Sequence, residues 1–120
     1  MNGHSAPVKS VEFNTDGSLL VTAADDKLVK IWDVGSRKFR VTLKGHSNWV
    51  RTAQFSNDSR MVASGSDDRS IKLWDISTAS PVHEFLDHAG MISALKFHPD
   101  GTCLASGASD KKIKIFDSRS

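Results

Sequence analysis

Three sets of residues in this 120-residue chain have the makings of a hydrolase triad: a histidine, a serine or threonine, and an aspartate. They are His4, Thr22 and Asp26; His46, Ser64 and Asp68; and His88, Ser106 and Asp110. In such a triad the carboxylate orients the imidazole, and the imidazole takes the hydroxyl proton as oxygen attacks a carbonyl. Catalysis needs one special site, whereas here the same set recurs three times at a strict interval. Repetition of that kind points to a structural brace, because buried polar groups persist only when paired and a closed network fixes register. No catalytic residue is therefore assigned. The histidines are too far apart in sequence to share a metal, so no metal site is assigned either. There is no glycine-rich phosphate loop; Ser64-Gly65-Ser66 reads as a strand end, and no cofactor is implied. Cys103, beside Leu104 and Ala105 in an apolar run, reads as a buried inert thiol.

The elements that must position these residues follow from the interval itself. The histidines at 4, 46 and 88 fall 42 residues apart, as do Asp16, Asp58 and Asp100, and Trp32, Trp74 and Phe116, each followed by an aspartate. No insertion disturbs the register. This period lies within the ~40–45 residues of a four-stranded propeller blade. In the second repeat, Val50–Phe55, 61–64, 71–74 and 81–86 read as four strands, with Asn57-Asp58-Ser59 and Asp67-Asp68-Arg69 as turns. Residues 19–22 and 103–106 are counterparts of the second of these strands, and 37–43 of the fourth. No segment carries a helical period. The fold class expected is all-β: antiparallel four-stranded blades at residues 1–44, 45–86 and 87–120, the last lacking its outer strand. Three blades cannot close a ring of ~4–8. The chain thus reads as part of a larger propeller, or as a short protein that completes its ring with another chain.

Composition excludes more than it assigns. Hydrophobic content is 38%, charged content 25% and net charge +2, which suggests neither a nucleic-acid nor a membrane-surface partner. No apolar run approaches the ~18 residues that span a bilayer. Met1-Asn2-Gly3-His4 lacks the apolar core of a secretory signal, and a single cysteine forms no internal disulfide. The location expected from these features is cytoplasmic.

Gly3-His4 and Gly45-His46 near the repeat starts, with Trp32-Asp33 and Trp74-Asp75 near the ends, resemble the WD-repeat signature. The resemblance implies a propeller that binds proteins and is not an enzyme. It also implies a buried network in each blade, linking histidine to Ser/Thr to tryptophan with aspartate fixing the turn: His4, Thr22, Asp26 and Trp32; His46, Ser64, Asp68 and Trp74; His88, Ser106, Asp110 and Phe116. Phe116 departs from the pattern because it has no indole N–H, so the third network is expected to be incomplete. Asp87 before His88 is a second departure.

The resemblance further implies a docking face at the histidine loops and aspartate turns. Mapped onto this chain it comprises Pro7, Lys9 and Asp25; Trp49, Arg51 and Asp67; and Met91, Ser93 and Ser109. Trp49 with Arg51 is the expected hot spot, since Trp and Arg dominate binding energetics; the alternative is that Trp49 packs between blades. Lys30, Lys72 and Lys114 read as a solvated stripe. Arg37, Lys38, Arg40 and Lys44 form the densest basic cluster, read as a solvated outer strand or a surface for an acidic partner.

Four stretches are also similar to the "proteome of centriole" WD-repeat proteins: 46–51, 97–103, 6–11 and 82–84. That similarity implies a seven-bladed propeller supporting centrioles, basal bodies and cilium assembly. The partners it implies are centriolar or microtubule-wall proteins, including tubulin. The coiled-coil extension of that family has no counterpart here. The other reading is a general adaptor in a signalling or ubiquitin-ligase complex.

Overall fold

Short runs of β-branched and aromatic residues, broken every few residues by Asp, Asn, Ser or Gly turns, leave no room for a helix. A computed structural model describes residues 6–86, 90–98 and 103–117, apart from the Asp117 side chain, and these residues are all-β. β1 (Val8–Phe13), β2 (Leu19–Ala24), β3 (Leu28–Asp33) and β4 (Lys38–Lys44) form one antiparallel sheet in sequence order. β5 (Val50–Phe55), β6 (Met61–Ser66), β7 (Ile71–Asp75) and β8 (Ser80–Phe85) form a second. β9 (Ile92–Phe97), β10 (Cys103–Ala108) and β11 (Ile113–Asp117) form a three-stranded third. The middle strands run two residues beyond the 61–64 and 103–106 segments expected from sequence.

The sheets stack face to face, with β5 against β1 and β2, and β9 against β5 and β6. Leu19, Val21, Val29, Ile31 and Leu43 of the first sheet meet Val50, Phe55, Val62 and Trp74 of the second in one buried cluster. Ala63, Ile71 and Leu73 of the second meet Ile92, Leu95, Leu104 and Phe116 of the third in another. β2 is buried along its whole length. Gly65 sits where an added Cβ would collide with Ile92 of the next sheet, so close packing between sheets demands glycine there.

The lysine stripe is corrected by this packing. Lys72 is buried, and its Nζ lies 3.1 Å from Glu84 Oε1 on the neighbouring β8. Its strand is central, so the aliphatic stem is covered and only a cross-strand partner makes the charge tolerable. Lys30 lies over the Phe39 ring at 5.6 Å.

The turns repeat their strain. Lys27, Arg69 and Lys111 adopt φ of 71°, 71° and 67° at equivalent positions. In the second sheet Arg69 N donates to Ser66 O and Ser66 N donates to Ser70 O, closing a three-residue hairpin whose last loop residue is left-handed. Glycine takes that conformation without a Cβ penalty. Arg69→Gly is expected to raise stability by about 0.5–1 kcal/mol, measured as an upward shift of the chemical denaturation midpoint.

Candidate functional site

The second sheet brings His46, Ser64, Asp68 and Trp74 into one buried network. His46 Nε2 lies 2.6 Å from Ser64 Oγ, and His46 Nδ1 lies 2.9 Å from Asp68 Oδ2. Trp74 Nε1 donates to Ser64 Oγ at 2.8 Å. With one lone pair so occupied, Ser64 donates to Nε2, and Nδ1–H donates to the carboxylate: a neutral imidazole satisfies the chain. Asp68 also accepts from Ser47 N, Ser70 N and Ser70 Oγ. Burial raises its pKa, but the hydrogen bonds from His46 and Ser70 outweigh this and hold the carboxyl well below the usual carboxylate range.

This connectivity is that of a nucleophilic triad, yet Ser64 is fully buried and its hydroxyl is braced by an indole. No substrate carbonyl can approach it, so the set acts as a tie between the His46 loop and strands β6 and β7. Gly45 belongs to the same fit, since a Cβ there would stand 2.9 Å from Trp74 Cη2.

The other two sheets carry parts of the same arrangement. Trp32 Nε1 donates to Thr22 Oγ1 at 3.0 Å, and Asp26 accepts from Leu28 N. Asp110 accepts from Lys112 N, and the Ser106 hydroxyl lies 3.5 Å from Lys114 O. Phe116 has no N–H to offer and instead packs on Phe85, ring centroids 4.4 Å apart. His4 and His88 lie outside the described residues. Ser70 was not foreseen; it is buried and bonds both His46 and Asp68, but its counterparts are Leu28 and Lys112, so periodicity holds no signal for it.

The nine residues expected on a docking face lie at equivalent points of the three sheets. Asp25 N donates to Pro7 O, Asp67 N to Trp49 O and Ser109 N to Met91 O, at 3.0, 2.8 and 2.9 Å. Lys9, Arg51 and Ser93 each occupy a β-bulge: Val8 pairs Ala24 and Ser10 pairs Ala23, and the same slip recurs in the other two sheets. A bulge re-aims the extra residue, here towards the turn at positions 25, 67 and 109. Arg51 grips Asp67 with two bonds of 2.8 and 2.9 Å, and its guanidinium lies 5.5 Å from the centroid of the Trp49 ring. Hydrogen bonding to Asp67 raises the Arg51 pKa, and Asp25 of the neighbouring sheet adds to it, so the two sites adjoin. Trp49 and Met91 are 43% and 44% exposed among the described residues.

Lys9 serves Asp25 less well. Its Nζ reaches only Oδ2, at 3.6 Å, and Asp25 Oδ1 is buried without a hydrogen-bond partner among the described residues. The planar guanidinium of arginine could reach both oxygens, as Arg51 does. Lys9→Arg is expected to stabilise the chain by about 1 kcal/mol, visible as a higher melting temperature.

The family model described as "WD domain, G-beta repeat" matches residues 1–33, 37–75 and 79–117. WD repeat-containing protein SL1-17 of Schistosoma mansoni is 53% identical over 34 residues, 28% of this chain and 11% of that protein. Lissencephaly-1 homolog of Dictyostelium discoideum is 41% identical over 44 residues, covering 37% of this chain and 10% of the relative. General transcriptional corepressor TUP1 of Saccharomyces cerevisiae is 39% identical over 49 residues, covering 37% and 7%. The matches thus span a small part of each relative's length, and the names of these relatives describe no common role.

Proposed function

The chain belongs to the WD40-repeat family, and from that premise we propose that it is a non-enzymatic scaffold that binds proteins through the rim carrying Trp49 and Arg51. The single observation that carries this is the contrast between the two polar sets. His46 and the hydroxyls of Thr22, Ser64 and Ser106 are buried, while the bulged residues and their neighbours stand towards the surface beside an exposed aromatic. Arg51 is preorganised by Asp67, so little side-chain freedom is lost when a partner docks on the pair. Residues 1–44, 45–86 and 87–120 are read as three blades of a larger propeller, completed by further blades or another chain.

The finer reading is a structural component of centrioles, basal bodies or axonemal microtubules that supports cilium assembly, with centriolar or microtubule-wall proteins, tubulin among them, as partners. Its support is the likeness of segments 6–11, 46–51, 82–84 and 97–103 to the "proteome of centriole" proteins. A general adaptor of signalling or ubiquitin-ligase complexes is the second reading, favoured by the diverse names among the relatives. The test is a tagged copy of the protein in ciliated cells, imaged after soluble protein is extracted. Retention at centrioles is expected, with retention reduced about tenfold or more by Trp49→Ala with Arg51→Ala. A diffuse, fully extracted signal from folded protein would remove the centriolar reading and leave the adaptor.

A further inference from the structure

The first two sheets form a groove of about 960 Å³ between them, within the ~300–1,000 Å³ of ligand pockets. Leu19, Val41 and Ile76 make its apolar floor, an outward continuation of the cluster that joins the two sheets. One wall is β4, and the other is made by residues 58–61 and 75–79, so both walls come from the middle of the sequence. The groove and the Trp49 rim lie at opposite ends of β5: the rim where that strand starts, the groove beyond where it ends.

Two arginines line the groove, Arg40 from β4 and Arg60 from the turn before β6. Arg40 is the extra residue of a bulge, since Val41 pairs Ile31 and Phe39 pairs Trp32. The repeated fold requires neither arginine: Val82 is the counterpart of Arg40, and Ser18 and Thr102 are those of Arg60. Both are exposed, and among the described residues neither guanidinium makes a salt bridge. Asp58 and Asp75 also line the groove, but each carboxylate is tied into its own turn. Asp58 Oδ1 accepts from Ser56 Oγ and Arg60 N, and Asp75 Oδ1 accepts from Ser77 N and Ser77 Oγ. The unspent hydrogen-bonding capacity is therefore cationic, two planar forks each shaped for a carboxylate. β4 is also the edge strand of its sheet, so its outward backbone groups are open to an extended chain.

We propose that this groove binds an extended acidic and hydrophobic segment of a partner protein, with an apolar side chain on Leu19, Val41 and Ile76 and carboxylates on Arg40 and Arg60. It is a second docking surface, beyond the rim, and it gives the basic β4 strand an acidic partner.

Selection of random phage-displayed peptides on the 120-residue chain tests this. The enriched sequences should place aspartate or glutamate beside leucine, isoleucine or phenylalanine. A labelled synthetic peptide of that consensus should bind in fluorescence anisotropy, and less tightly as salt rises. Arg40→Val with Arg60→Ser installs residues that the sibling repeats carry, so the variant should keep the wild-type melting temperature. It should bind the peptide at least about tenfold more weakly, as should the wild type when the peptide's acidic residues become amides. The proposal would be overturned by a selection that yields no consensus or a basic one, or by equal binding to the arginine variant. Wild-type self-association that the same two substitutions abolish would assign the groove to a second copy and overturn it too. Trp49→Ala with Arg51→Ala should leave this peptide bound; loss of binding there would move the site to the rim and overturn the proposal. The rim reading stands or falls separately, on retention in cells.

Discussion

Asp68→Ala should lower the stability of the chain by about 2–4 kcal/mol, read from urea unfolding at neutral pH. The carboxylate accepts from His46 Nδ1, Ser47 N, Ser70 N and Ser70 Oγ, and its side chain is only 9% exposed. Truncation leaves the imidazole N–H and two turn amides without that acceptor, and stranded donors cost more than the bonds they once made. The same carboxylate gives the effect a pH dependence. Burial raises the pKa of Asp68, and its hydrogen bonds lower it further than burial raises it, so the folded value lies below the unfolded value near 3.9. A depressed folded pKa contributes stability that is complete above the unfolded value and is lost as pH falls towards the folded one. The gap between wild type and Asp68→Asn should therefore be constant above about pH 5 and smaller at pH 3. Equal gaps at pH 7 and pH 3 would show that the ionised carboxylate is not what holds the turn.

Trp74→Ala should be costlier, about 3–5 kcal/mol, because it removes a fully buried indole from the interface between the first two sheets. Trp74→Phe separates the two parts of that loss. It keeps most of the packing and deletes the Nε1 donor to Ser64, so about 1–2 kcal/mol is expected. The third repeat suggests a partial remedy. There phenylalanine stands at the tryptophan position as Phe116, and Phe85, the second repeat's counterpart of Leu43, packs on its ring. Adding Leu43→Phe to Trp74→Phe should recover about 0.5–1 kcal/mol, read as a coupling energy in a double-mutant cycle. Strict additivity would mean that the volumes at the two positions are independent.

Repetition made much of this legible. One His, one hydroxyl residue and one aromatic say little, but those classes at one interval three times pointed to the brace, and alternation around them placed the strands. The third repeat even announces its departure two ways, Phe116 for tryptophan and Asp87 for glycine, and the facing β8 carries Phe85 where the first repeat has Leu43. Gly45 shows why such positions change together, since it packs under Trp74. What the sequence could not show was whatever is not repeated or has no residue signature. Ser70 joins the network alone among its counterparts. The bulges that aim Lys9, Arg51 and Ser93 at the rim fall on three different residue types, so register had to be seen. Lys72 looked solvated because alternation marks faces, and a strand buried on both sides obeys no such alternation.

The stacking has a consequence for how the chain comes apart. One apolar cluster joins the first sheet to the second, and another joins the second to the third. Among the described residues, the first and third sheets each meet one neighbouring sheet. Either can open by giving up a single cluster, while opening the middle sheet forfeits both and its own polar tie as well. Unfolding should run as a nearest-neighbour process, inward from the ends. Amide protons in β6 and β7 would then exchange last, at the rate of global unfolding, and those of β1 and β11 first. The central repeat thus sets the lifetime of the whole array, and a weakness introduced there is felt in all three.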